Sequence, residues 1–513
     1  MPRSARNVAG RRVSAIKGFA SPSSKPKAGP RASGSAMVLP LALAQFIASY
    51  AATNMNVAIS SIARDLGTTV IGLQTAITLF TLTMASLMIP GSKLTDIWGR
   101  KFCFVLGLTV YAVGAVIAAL AQSLGVLVFG YSVLEGIGSA LLIPPVYILV
   151  TVGFPDLATR ARYFGVISGA GGLGAAAGPL VGGLITTTIS WRASFVLQAL
   201  VVLWIIFLAR RIAEPARAGP RPAFDLAGAI LSAAGLFFVV LGILQSGTYG
   251  WVKSRKDFTF AGSVVIAKGG VSPIWIYIGI GVVILIAFFL HLRAREHRHR
   301  EPLVHLRLFR NHAANLGLST QFVQWLVLQG SFFVTSVYLQ EIWKYSAIKT
   351  GLILTPATAG ILLTSALAAR FARRHAQRSL VIAGFVLTVA GMVLLLLLVR
   401  KDSGVASFVP GLLLMGCGVG IMLTSSVNIV QSSFGDSDQG DISGISRSVS
   451  NLGSSFGTAL VGSVLVAAKL PEGQPFAIAA GVLVGFAVIG LGAAIAIPRH
   501  ADTVLPEQPA AAR

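Results

Sequence analysis

Residues 165–183 read GVISGAGGLGAAAGPLVGG, and the spacing of the glycines in this stretch decides the fold class. Gly165, Gly174, Gly178, Pro179, Gly182 and Gly183 form the pattern G-x8-G-x3-G-P-x2-G-G inside one strongly apolar segment. Each glycine costs a helix in water about 1 kcal/mol relative to alanine, so a soluble helix of this composition would not hold. In a bilayer the alternative is an unsatisfied backbone, so the helix survives, and small residues let neighbouring helices pack closely. The spacings of nine and four residues are expected to bring Gly165, Gly174 and Gly178 roughly onto one face. Pro179 removes one intrahelical hydrogen bond and predicts a kink. The segment reads as a bendable, tightly packed membrane helix.

Gly169, Gly171 and Gly174 also spell G-x-G-x-x-G, a dinucleotide-binding fingerprint. That motif requires a preceding strand and an acid about 20 residues later. No Asp or Glu occurs between Asp156 and Glu214, and the flanks are apolar. A bound cofactor is therefore not expected.

The composition agrees with a membrane reading. The 513 residues are 55% hydrophobic and 11% charged, with a mean hydropathy of +0.79, which places the chain among polytopic membrane proteins. Fourteen apolar runs are candidate spans, near 37–59, 72–92, 103–123, 125–151, 164–187, 194–209, 226–246, 272–292, 314–339, 350–369, 379–399, 405–432, 443–468 and 475–498. A net charge of +24 raises the question of nucleic acid, but its distribution answers it. With the N-terminus placed in the cytoplasm, 30 of the 41 Lys and Arg residues fall on the cytoplasmic side and 11 outside, as the positive-inside rule requires. Arg447 counts in that sum as a cytoplasmic charge at a span end. An even number of spans puts both tails in the cytoplasm. Residues 1–36 carry eight basic residues and no acid, and are expected to form a disordered tail that helps set topology. Cys103 and Cys417 suggest neither a disulfide nor a thiolate metal site, and arginines interleaved with His291, His297, His299, His305 and His312 disfavour a cation there.

The chain repeats itself weakly. A shift of 279 residues carries Gly165, Gly174, Gly178 and Gly183 onto Gly444, Gly453, Gly457 and Gly462, and Gln45 onto Gln324. A parallel repeat of this kind marks a transporter. The shift spans eight helices, so each repeat holds six with two more inserted between. The expected layout is an N-terminal bundle over 37–213, a linker and inserted pair over 214–300, a C-terminal bundle over 301–498 and a tail over 499–513.

Chemistry-bearing residues are few. Between the second and third spans lies SKLTDIWGRK, residues 92–101. Asp96 and Arg100 stand four apart, the spacing at which opposite charges meet on a helical turn, and Gly99 permits a reversal. Such a charged turn is suited to locking one bundle against the other. Glu135, alone among seventeen acids, lies deep within an apolar span. An ionisable group at that depth costs several kcal/mol in placement, about 3 on insertion scales, and is a functional-site hypothesis by default. It is a candidate for proton exchange or substrate contact, or a near-isostere of a hydrogen-bonding glutamine. Gln45, Asn54, Asn56, Gln321, Gln324, Gln329, Asn428 and Gln431 are candidate cavity or interhelical groups. Trp325 and Phe332 offer aromatic surface for an apolar or cationic compound.

Residues 92–101 resemble the loop motif of the major facilitator superfamily, G-x-L-x-D-x-x-G-R-K, at Leu94, Asp96, Gly99, Arg100 and Lys101, with Ser92 in place of the first glycine. The glycine–proline pattern of the fifth span is similar to that of the superfamily's drug:proton antiporters. The 6+2+6 layout, FDLAGAILS, EPLVHLRLF and SGISRSVSNLGSSFGTA resemble its 14-helix branch over residues 37–498. The resemblance implies an all-α protein of two pseudo-symmetric six-helix bundles plus two inserted helices. It implies proton-coupled export of amphipathic or drug-like compounds across a bacterial inner membrane, with no cofactor and a monomer by default. Two departures stand out. The family's fourth-span R-x-x-Q-G aligns with Ser132 through Gly136, replacing the arginine by Ser132 and the glutamine by Glu135. Its first-span D-x-T-x-x-N-V-A aligns with Ala51 through Ala58, replacing the acid by Ala51. A narrow metabolite exporter or an uncoupled facilitator is the alternative that these losses favour. An integral-membrane enzyme or a receptor shares the hydropathy, but an enzyme needs converging catalytic groups, and the sequence offers one lone acid. No P-loop appears, so the energy is expected to come from an ion or substrate gradient.

Overall fold

The computed structural model describes residues 34–154, 157–210, 212, 223–260, 263–372, 374–400, 403–435, 438–467 and 474–499. Most of the expected basic N-terminal tail, residues 213–222 and the C-terminal residues from 500 onward lie outside the described residues.

Six helices form the first group: α1 (Gly34–Asp65), α2 (Val70–Trp98), α3 (Arg100–Ala119), α4, α5 (Leu157–Thr188) and α6 (Trp191–Ala209). Helix α4 starts at Leu124–Leu127, widens into a π-helical stretch over Val128–Glu135 and returns to α-helix over Gly136–Gly153. The inserted pair is α7 (Leu226–Tyr249) and α8 (Ile274–His297). The second group is α9 (His312–Val337, ending in a π turn at Tyr338–Ile342), α10 (Ala347–Ala372), α11 (Gln377–Leu398), α12 (Phe408–Ser432), α13 (Gln439–Ala467) and α14 (Gln474–Ala496). Local sequence sets several starts. Thr69, Ser190, Asp225 and Asn311 each accept a backbone N–H from the first turn of the helix that follows, satisfying groups that would otherwise be orphaned.

Thirteen of these helices are long and apolar enough to cross a membrane. Helix α13 has the length, 29 residues, but carries a run of serines with Arg447 and Asp441. It is enclosed between α9 and α2 rather than turned to lipid, so it needs less apolar surface. The α8 span shows the opposite case: 17% of it is buried, against 89% for α9. The inserted pair therefore lies at the periphery, with α7 against α2 and α13 and α8 mainly against α7.

Packing follows the repeat. Helix α1 packs on α5 as α9 packs on α13; α3 lies against α4 and α6 as α11 lies against α12 and α14. The groups meet through α2 with α13 and through α5 with α10, two contacts related by the same eight-helix shift. A Cβ at Gly174 would collide with the Phe46 carbonyl, and one at Gly453 with the Phe322 carbonyl. Helix α9 therefore sits three residues out of the 279-residue shift, and Gln45 corresponds to Gln321 rather than Gln324.

Two expectations from spacing need correction. Nine residues turn a helix by about two and a half turns, so Gly165 faces away from Gly174 and has no neighbour within 4 Å of a would-be Cβ. Asp96 belongs to the last turn of α2, whereas Arg100 opens α3. Gly99 between them has φ 109°, a conformation that breaks the helix. The two charges thus do not share one helical turn.

The connection between α7 and α8 adds a small non-helical element. Strands β1 (Phe258–Phe260) and β2 (Ser263–Ile266) pair antiparallel, fitting the aromatic and β-branched residues there. At the other end of the inserted pair, Asp225 is buried at the start of α7. Its carboxylate accepts from Gly228 and Leu303 backbone N–H groups, lies 2.9 Å from His291 Nε2 and 3.5 Å from the Arg295 side chain. Burial is the largest single influence and opposes its charge, but Gly228, His291 and Arg295 together hold the carboxyl below the usual carboxylate range.

Candidate functional site

A cavity of about 100 Å³ lies near the middle of the helices, between the two groups. Its wall is a set of helical faces. Gln45, Ala48, Ser49, Ala52 and Thr53 of α1 follow the i, i+3, i+4, i+7 spacing, and so do Arg447, Ser450, Asn451 and Ser454 of α13. Thr81 and Met84 of α2, Ile143 and Tyr147 of α4, and Gly171, Gly172 and Ala175 of α5 complete the first half. Trp325, Leu328, Gln329 and Phe332 of α9, with Ile361 and Leu423, form an apolar and aromatic wall opposite.

Pro179 shapes this site through the backbone. Its ring removes the N–H that would bond the Ala175 carbonyl. The Thr53 hydroxyl of α1 lies 3.1 Å from that freed oxygen, nearer than the carbonyls of its own helix, and is placed to donate to it. Gly178 makes this approach possible, because a Cβ there would collide with the Thr53 side chain. Gly182 lies under the Asn54 carboxamide, and Gly183 lets the Ala347 carbonyl of α10 come within 2.7 Å of a would-be Cβ. The glycine pattern thus serves two contacts, one with α1 and one across the groups with α10.

Towards the end opposite the start of α1, called here the far end, the groups are joined above the cavity. Ser60 N donates to Gln340 Oε1 at 3.1 Å, the Ser60 hydroxyl to Glu341 Oε1 at 2.6 Å, and Gln340 Nε2 to the Asn56 carbonyl at 3.0 Å. Ile348 N donates to Thr187 Oγ1 at 3.1 Å. Nearer the midpoint, Gln329 Nε2 donates to the Ala52 carbonyl at 3.1 Å. At the tail end, the latch is between α2 and α13: Lys93 Nζ stands 3.6 Å from Asp441 Oδ1, and the Ser92 hydroxyl donates to the Gly440 carbonyl at 3.1 Å. Asp96 faces the same place, 3.8 Å from a would-be Cβ on Gly440, and Lys101 Nζ donates to the Arg210 carbonyl at 3.1 Å. Leu94 is half-buried beside them. The loop motif therefore lies where the two halves touch.

Among the residues singled out from sequence, Gln45, Gln329, Trp325 and Phe332 line the cavity. Gln321 and Gln324 do not. They are buried and tie α9 to its neighbours: Ser446 donates to Gln321 Oε1 at 2.7 Å, Gln321 Nε2 to the Ser426 carbonyl at 3.1 Å, and Ser426 to Gln324 Oε1 at 3.0 Å. Asn54 and Asn56 are buried between helices, Gln431 is half-buried and Asn428 is exposed.

Glu135 is fully buried at the end of the π-helical stretch and is absent from the cavity wall. Both carboxyl oxygens lack a hydrogen-bond partner. Its surroundings lie inside the first six helices: its backbone N approaches Gly114 of α3, and Tyr131 one turn earlier is 3.5 Å from the Ala51 carbonyl and stacks on Phe80. Nearby, the Tyr111 hydroxyl donates to Gln198 Oε1 at 2.6 Å. The Ser132 hydroxyl donates to the Ala76 carbonyl at 2.7 Å, a local contact in place of a long arginine.

Arg447 is the residue that sequence reading misplaced. It lines the cavity rather than marking a span end, and among the described lining residues it is the one charged side chain. Its guanidinium lies 4.6 Å from the Tyr147 ring centre, donates to the Tyr147 hydroxyl through Nη2, and Tyr147 in turn donates to Gln45 Oε1 at 3.2 Å. The signal was present in the polar stripe Arg447, Ser450, Asn451 and Ser454, whose spacing marks one wet face of an otherwise apolar helix.

Comparison with known proteins agrees with this architecture. The sequence pattern of the Major Facilitator Superfamily matches residues 41–271 and 258–458. The chain is 28% identical over 468 residues to the cephamycin export protein CmcT of Amycolatopsis lactamdurans, covering 89% of this chain and 90% of that one. It is 26% identical over 413 residues to the multidrug resistance protein Stp of Mycobacterium tuberculosis, covering 80% of this chain and 72% of Stp. The fold is similar to that of the human organic anion transporter MFSD10, with a TM-score of 0.56 at 13% identity, over 90% of this chain and 99% of that one. The chain therefore belongs to the Major Facilitator Superfamily and is a membrane transporter rather than an enzyme.

Proposed function

We propose that this transporter exports amphipathic, drug-like compounds through the midspan cavity by alternating access. The observation that carries the reading is the cavity itself, with an aromatic and aliphatic wall on one side and a polar wall on the other, closed at the far end by the Ser60–Gln340–Glu341 contacts. Two halves joined by glycine-lined, hydrogen-bonded seams are suited to rocking about such a site. The excess of Lys and Arg around the tail end supports cytoplasmic tails in a bacterial inner membrane. In that orientation the conformation is closed to the outside. Relatives named for multidrug resistance and cephamycin export support a lipophilic cargo.

Protons are the proposed driving ion, with Glu135 as the exchanging group. Its carboxyl is buried without a partner, and such a group is costly when charged and readily neutralised when it binds a proton. The experiment is uptake of a lipophilic drug into inside-out vesicles, with and without an imposed pH gradient. Accumulation above the external level, abolished by a protonophore, supports the reading. Equilibration to the external level in either condition supports an uncoupled facilitator.

A further inference from the structure

We infer that Arg447, backed by Tyr147 and Gln45, is an anion-binding subsite within the cavity, so that the compounds carried bear a carboxylate or comparable anionic group on an apolar body. This inference rests on the cavity being the substrate site.

Depth is the first argument. Arg447 is the ninth residue of Gln439–Ala467, which puts it about 12 Å along the helix from its start. A charge needed for topology alone belongs at the helix end, where Lys93 and Asp441 stand. A cation inside a membrane helix is expensive and faces a cavity or a partner. Arg447 faces the cavity, and among the described residues it has no carboxylate within ion-pair distance.

Hydrogen bonding is the second. A guanidinium offers five N–H donors and no acceptor. One described bond uses Nη2, to the Tyr147 hydroxyl, and that hydroxyl passes its own proton towards Gln45 Oε1. The direction of this relay makes Tyr147 an acceptor for Arg447 and holds the guanidinium beside its ring. Among the described residues no carboxylate matches the positive charge itself. A planar carboxylate meets a guanidinium through two parallel bonds. Asn451, one turn further along the same face, lines the cavity with another donor group.

The rest of the wall fixes the class. Trp325 and Phe332 suit an aromatic or aliphatic body, while no acid among the described lining residues is available to a cation. A lone arginine there repels the cationic dyes that the aromatic wall alone would favour.

The test is equilibrium binding of 1-naphthoate and its uncharged methyl ester to the purified full-length protein, for the parent, Arg447→Gln and Arg447→Lys. The expected result is that the parent binds naphthoate more tightly than the ester. Arg447→Gln should weaken naphthoate by about tenfold or more while the ester stays within about twofold, because only the charged ligand loses its partner. Arg447→Lys should recover part of the naphthoate affinity. Retained ester binding also shows that the Gln variant is folded. Equal loss of both ligands makes Arg447 a brace for Tyr147 and overturns the inference. Unchanged naphthoate binding in Arg447→Gln, or a parent that binds the ester as well as naphthoate or binds neither, overturns it too. Arg447-dependent binding without vesicle transport of either compound would sink the export reading and leave the subsite standing.

Discussion

The two halves of this transporter share a scaffold and differ in where each places an ionisable group along its helices. Gly174 of α5 meets the Phe46 carbonyl as Gly453 of α13 meets the Phe322 carbonyl, so the α1–α5 and α9–α13 contacts are built alike. In the first half Glu135 is fully buried, enclosed among α2, α3 and α4 and away from the cavity. In the second, Arg447 is half-buried and placed on the cavity wall. Equal packing thus supports unequal chemistry, and the repeat predicts which helices touch but not which face carries a functional group.

The largest expected effect tests the shared scaffold. Gly174→Leu and Gly453→Leu should each abolish transport and sharply reduce the yield of folded protein, because a side chain would have to displace backbone in either half. Size-exclusion chromatography and vesicle transport at matched expression check this. If one variant behaves like the parent, the two helix pairs are not built on equivalent contacts.

A selective loss tests the contrast in charge. Glu135→Gln keeps size and hydrogen-bonding capacity, so downhill exchange should persist at a rate near the parent's while proton-driven accumulation disappears. Measuring both modes side by side decides it. Intact accumulation would leave Glu135 as a structural substitute for glutamine.

A smaller effect concerns Pro179 of α5, which has no proline counterpart in α13. Thr53→Val removes the donor to the Ala175 carbonyl and should destabilise the folded protein by about 1–3 kcal/mol through the unsatisfied oxygen. The counterpart of Thr53 in α9 is Gln329, which reaches across to the Ala52 carbonyl instead, and α13 has no proline at the place of Pro179. Gln329→Leu should therefore act on the cross-half contact more than on the stability of its own half. Thermal unfolding of the two variants separates these effects; equal shifts would argue against a role of Thr53 specific to the carbonyl that Pro179 frees.

Much of this architecture was legible because a bilayer forbids unpaired backbone, so each apolar run of sufficient length had to become a helix. The runs near 194–209 and 226–246 are the helices Trp191–Ala209 and Leu226–Tyr249. The glycine pattern also announced close approach, although its partners had to be seen: Gly178 and Gly182 serve α1, Gly183 serves α10, and Gly165 serves neither. Site residues were less legible, since hydropathy averages over helix faces. Gln321 and Gln324 look like a cavity pair in sequence yet are buried between helices, Gln321 bonded to α12 and α13 and Gln324 accepting from Ser426 of α12. Arg447, counted with the loop charges, reveals its role only when the turn-by-turn stripe through Ser450, Asn451 and Ser454 is set against Tyr147 on α4. Asp96 and Arg100 show the same limit, because Gly99 ends one helix and begins the next between them.

The central claim is that the halves move against each other about the cavity, and the far-end contact offers the most direct measurement. Ser60 of α1 and Gln340 of α9 are hydrogen-bonded in the closed far end. In a protein with Cys103 and Cys417 replaced by alanine, Ser60→Cys and Gln340→Cys can be joined by oxidation, and transport in vesicles measured before and after reduction. The account predicts that the disulfide stops transport and that reduction restores it, because the far end must open once per cycle. Transport at the full rate with the disulfide formed would contradict it.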